Sequence, residues 1–130
     1  MTEVYRVVVG AGSLRNDDVG VWKLAHRWTP GGVSVEADFT GAHLVHLAVA
    51  GCVLNDLYRE ATRLGIQVDG VRVSAVGGFG EDWRSTGIEY SVELDAPADP
   101  GRVAELLAVI DEVAEIPRAI RAGAPVRRTG

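Results

Sequence analysis

A chain of 130 residues suits one domain, expected to span 1–130, and its 47% apolar and 24% charged residues are an ordinary globular mixture able to bury a core. The net charge of −5 argues against a nucleic-acid binder, which carries a basic face. Cys52 is the single cysteine, which excludes an intramolecular disulfide and fits a reducing compartment. The longest apolar run, Leu44 to Leu54, is far short of the ~20 residues needed to span a bilayer. The opening Thr2-Glu3-Val4-Tyr5-Arg6 lacks the basic start and apolar core of a secretory signal, so the expected location is cytoplasmic, with no membrane partner.

Val4 to Val9 is a strand by its β-branched content. It runs into Gly10-Ala11-Gly12-Ser13-Leu14-Arg15, which begins like a dinucleotide fingerprint. The third glycine position is Arg15, and Asn16 to Gly20 reads as a turn. A fingerprint needs a helix there to hold the pyrophosphate, so no nucleotide cofactor is expected. Val21 to Trp28 reads as a second strand and Val33 to Phe39 as a third, with a Pro30-Gly31-Gly32 turn between them; the three suggest a small antiparallel meander.

From Leu44 to Leu64 the chain predicts one long helix of about six turns. Leu54, Leu57, Ala61 and Leu64 fall three or four apart and make an apolar stripe. Thr40 is a candidate N-cap, and Gly65 can take the left-handed conformation that stops the helix. The half that holds Cys52 is apolar on all sides except at His46, so it must be wrapped by the rest of the chain or by a second copy.

Val68 to Val76 and Gly87 to Leu94 are two more strands, separated by a loop from Gly77 to Ser85. Asp99 caps a second helix with Pro100 at its first position. Its buried face is Val103, Leu106, Leu107, Ile110 and Val113, and Pro117 must end or kink it near Ile116. Arg118 to Ala122 can add a turn of helix, and Ala124-Pro125-Val126 a short edge strand. Strands and helices grouped in blocks give an α+β fold.

Four features invite function. His43 and His46 are three apart, but on a helix they point about 180° and 120° away from Cys52, and no third ligand lies near in sequence; a metal site needs three or four. Trp22, Trp28 and Trp83 are core or dimer-contact residues, or part of an apolar ligand channel. Arg118, Arg121, Arg127 and Arg128 form a basic end, by default solvated. Cys52 is either a small buried hydrophobe or a reactive thiol, and the second needs a positive partner to lower a pKa of ~8.5. The helix dipole fades within the first turn and cannot supply this from beneath Cys52. A buried guanidinium would itself want a carboxylate, and Glu36, Asp38 and Asp56 are the nearest in sequence.

Leu44-x-x-Leu47-Ala48-x-Ala50-Gly51-Cys52, followed by Tyr58, Leu64-Gly65-Ile66 and Val68-x-Gly70-Val71-x-Val73, resembles the OsmC/Ohr family of osmotically induced and organic-hydroperoxide-resistance proteins. The resemblance covers nearly the whole chain. It implies antiparallel sheets packed around a long central helix in an intertwined homodimer, with active sites at the subunit interface. It further implies that Cys52 attacks an organic hydroperoxide and that Arg15, or failing that Arg27, holds the thiolate. The family's second cysteine precedes a proline where this chain has Ile116-Pro117, and its glutamate falls at Ala42. Both are absent, so oxidised Cys52 would be cleared by an external thiol reductant. Two functions follow: a one-cysteine hydroperoxide reductase without cofactor or metal, or a catalytically degenerate dimer binding a small apolar ligand.

Overall fold

The computed structural model describes residues 3–130. Its elements are β1 (Tyr5–Gly12), β2 (Trp22–Leu24), β3 (Val33–Glu36), α1 (Gly41–Leu64), β4 (Gly70–Phe79), β5 (Ser85–Asp95), α2 (Pro100–Val113) and α3 (Glu115–Ala122). The strands form one antiparallel sheet in the order β2-β3-β1-β4-β5, and the fold is α+β as expected. No helix is long and apolar enough to cross a membrane among the described residues.

Period-2 alternation gives the sheet two unlike faces. Val9 stands opposite Val35 on β3 and Val73 on β4, which stands opposite Val92 on β5. Val7, Val9, Ala11, Val71, Val73 and Ala75 are fully buried on that face. Arg6, Arg72, Glu89 and Glu93, one residue out of phase, are left on the other, where Arg72 pairs with Glu93 at 2.6 Å. α1 lies across the apolar face, and α2 packs on α1 through Leu106 and Ile110, both fully buried in the same core as Leu54 and Leu57.

The capping residues act as the sequence indicates. The Thr40 hydroxyl accepts the His43 N–H at 3.0 Å, so α1 starts at Gly41, three residues before the apolar run. Gly65 closes it at φ 70°, and the Ile66 N–H returns to the Ala61 carbonyl at 2.8 Å. The Asp99 side chain accepts the Arg102 N–H at 3.0 Å at the head of α2. The break before Pro117 comes at Ala114, after which α3 begins, with buried Pro117 in its first turn.

Several expected boundaries move. The second strand keeps only Trp22–Leu24, because His26 turns from the sheet to bond Thr29 (2.8 Å) and Asn55 of α1 (3.2 Å). The first three strands are not a sequential meander, since β1 pairs with β3 on one side and β4 on the other. β4 runs on to Phe79, leaving only 80–84 as the hairpin loop, with Trp83 at φ 60°. Residues 124–126 form no strand, and Val126 is exposed.

Two glycines are required by close approach. Gly12 sits at φ 62°, and a Cβ there would lie 2.2 Å from the Asp69 carbonyl oxygen. Gly12→Ala is expected to cost about 1–3 kcal/mol in urea denaturation, from the left-handed backbone and the clash together. At Gly77 a Cβ would meet His46 Nε2 at 2.6 Å, so the missing side chain is what lets that buried ring lie on the sheet.

Candidate functional site around Cys52

α1 carries Cys52, Asp56 and Arg59 on one face, because offsets of four and seven residues return to nearly the same direction on a helix. α3 brings Glu115 over them. The Cys52 Sγ lies 3.6 Å from Asp56 Oδ2 and 3.5 Å from Glu115 Oε2, and the Ile116 N–H donates to the sulfur at 3.5 Å. A thiol has one proton, so it can donate to only one of the two carboxylates at a time. Arg59 binds the same pair, with Nη1 2.8 Å from Glu115 Oε1 and Nη2 3.3 Å from Asp56 Oδ2, the oxygen the sulfur also faces, and its Nε reaches Glu60 at 3.2 Å.

Charge and burial set the protonation states. Half-buried Cys52 is pushed up to about 11, by burial first and then by the two carboxylates; the Ile116 N–H pulls the other way but is outweighed. Asp56, 1% exposed, is raised by burial and by its hydrogen bond with Glu115. Glu115 is held low by that same bond and by Arg59. Asp56 is thus the carboxyl that takes a proton first, and Glu115 the one that stays ionised. At pH 7 the thiol is therefore held protonated more firmly than a free cysteine.

The other expected site residues lie elsewhere in the chain. Arg15 holds Asp17 at 2.7 Å, with its guanidinium over Gly31. Arg27 lies over the Trp28 ring, 5.8 Å from its centroid. The guanidinium that shares partners with Cys52 is Arg59, which sequence reasoning missed, although its seven-residue spacing from Cys52 was a usable signal. Glu115 carried no such signal, because only the α2–α3 break aims it at α1. Cys52, Asp56 and Glu115 bring three possible ligand atoms within 4.8 Å of one another, a set already satisfied by Arg59. The histidines do not converge: Thr40 Oγ1 lies 2.6 Å from His43 Nδ1, and His46 Nδ1 donates to the Ala42 carbonyl at 2.6 Å.

The Ile116 amide lies 3.5 Å from the sulfur, at the position where the resemblance puts the family's second cysteine. Ile116→Cys is therefore expected to form a disulfide with Cys52 under mild oxidation. Thiol titration of the unfolded chain should then find no free cysteine, where the untreated variant shows both.

One turn along α1 from Cys52, which does not itself line it, a cleft of about 300 Å³ opens between α1, β5 and α3. Val49 lies one turn before Cys52 and Pro117 follows Ile116; with Ile88 and Ile120 they make the wall apolar, and Ser85, Tyr90 and Arg121 supply the polar side chains. None of the three tryptophans lines it. Trp28 packs on the core, while Trp22 and Trp83 are 47% and 77% exposed, beside Phe39 and Phe79 respectively.

Two solved structures share the fold. One is an OsmC-like hydroperoxide resistance protein from Jannaschia sp., with TM-score 0.58 and 11% identity over 96% of this chain and 91% of that one. The other is an OsmC-like protein from Mycoplasma pneumoniae, with TM-score 0.60 and 10% identity over 93% and 87%. A search of curated proteins finds no match. The family model described as OsmC-like protein matches residues 34–128, most of the chain and all of α1, β4 and β5. The chain belongs to the OsmC-like family.

Proposed function

We propose that this OsmC-like protein binds a small, largely apolar molecule in the cleft one turn along α1 from Cys52, and that the thiol is not a resting peroxidase nucleophile. The observation that carries this reading is the sulfur's company, Asp56 and Glu115, with the thiol pushed up to about 11. A peroxidatic cysteine needs the reverse, a cation that favours the thiolate. Arg59 is close, but its donors are directed at carboxylates. In the same reading the protein is a homodimer. The first half of α1 leaves Leu44, Val45 and Leu47 half-buried and Ala48 exposed, and Phe39 is 76% exposed nearby. A second copy laid there would cover what the single chain leaves open. In this reading the protein works in the cytoplasm.

The rate of Cys52 alkylation against pH tests the proposal. The expected midpoint lies near pH 11, with hydroperoxide consumption in dithiothreitol no faster than that of Cys52→Ser. A midpoint near 8.5 together with turnover above that control would sink it and leave the second reading.

That second reading is a one-cysteine reductase of organic hydroperoxides, served by an external thiol. It is favoured by the Ile116 N–H on the sulfur, which stabilises a thiolate, and by the name of the Jannaschia protein. In that case a second copy would bring Arg15 or Arg27 to Cys52.

A further inference from the structure

We propose that the ligand of the α1–β5–α3 cleft is a small organic monoanion, with its charged head on Arg121 and its apolar body against Val49, Ile88, Pro117 and Ile120. This rests on the ligand-binding reading above and adds the charge and anchor that reading leaves open. Arg121 is the one cationic residue lining the cleft, at its rim. Its guanidinium approaches Asp111 only at 3.8 Å and makes no hydrogen bond among the described residues. The facing Asp111 oxygen is already occupied at 2.6 Å by the Tyr90 hydroxyl. Burial and that hydrogen bond push Tyr90 up to about 12, so the phenol is neutral and adds no negative charge to the wall. The fork of an arginine matches the two oxygens of a carboxylate, and a bidentate pair beside apolar surface orients the whole ligand. A volume of about 300 Å³ lies at the lower end of small-molecule sites, which suits a short-chain acid and excludes a bulky cofactor.

The test compares sodium octanoate with 1-octanol by titration calorimetry on the full chain, and places each by amide shifts in NMR. Octanoate is expected to bind one per chain, at least tenfold tighter than octanol, with shifts centred on Ile88, Tyr90 and Ile120. Arg121→Met, an exposed change that keeps an unbranched apolar stem and removes the charged head, should bring octanoate down to the affinity of octanol and leave octanol unchanged. Ile120→Trp, which fills the cleft from its exposed side, should weaken both. Equal affinity for the two probes, no saturable binding, shifts on the far face of the sheet, or an unaltered Arg121→Met would each overturn the proposal. The two readings fail separately. Octanoate binding alongside a thiol that alkylates at pH 8.5 would remove the silent cysteine and keep the anion, whereas a silent cysteine with no octanoate site would do the opposite.

Discussion

Arg59→Met is expected to cost about 3 kcal/mol at pH 8, and clearly less at pH 4.5, because it removes the one cation that compensates a buried carboxyl. Asp56 is 1% exposed and already raised by burial; without the guanidinium its folded pKa rises further. A group raised in the folded state adds stability below its unfolded value, about 3.9 for aspartate, and loses it as pH climbs through the folded value. Glu115 acts in the same sense. Arg59 helps to hold it low, so its contribution is present above the unfolded value of about 4.3 and is weakened by the substitution. The penalty should therefore grow with pH, and urea midpoints at pH 4.5 and 8 measure it. An equal loss at both values would mean that Arg59 acts through its methylene stem instead of its charge.

Leu106→Ala should cost about 3 kcal/mol, within the range for a fully buried leucine whose neighbours collapse only partly. Leu106 and Ile110 are the two residues of α2 buried in the core, whereas Val103, Leu107 and Val113 are only half-buried. The comparison Val103→Ala should therefore cost markedly less. A second readout follows from connectivity, since α3 begins at Glu115, directly after Ala114 closes α2. Loosening α2 withdraws Glu115 and the Ile116 N–H from the sulfur, so Cys52 should alkylate faster in Leu106→Ala than in the parent chain at pH 8. An unchanged rate would mean that α3 is held on α1 without α2.

What could be read from the sequence was what rests on local pattern. The central helix announces itself through its stripe, and its two ends through Thr40 and Gly65, whose roles depend only on neighbours within four residues. Asp99-Pro100 is readable for the same reason. The sheet order was hidden, because nothing local tells β1 to sit between β3 and β4. The second strand is shorter in the structure than its β-branched and aromatic residues suggest, because the His26 bonds that pull the chain away depend on Asn55, 29 residues on. At the site, Asp56 stands among the carboxylates nearest Cys52 in sequence, but no local pattern marks it or Glu60 as buried, and both are. Their burial depends on where α2 and α3 land and on Arg59 lying across them. The thiol's surroundings were the least legible part, since two of its three neighbours, Glu115 and the Ile116 amide, come from more than sixty residues away.

No side chain caps the head of α3, and Pro117 has no N–H of its own; the free Ile116 amide finds its acceptor in the sulfur of another helix. Cys52 is therefore a hinge pin as well as a thiol. Any reagent that adds bulk there must prise the C-terminal segment off the body of the protein. The chain's sole sulfhydryl thus offers a chemical handle on how firmly residues 115–130 are fastened.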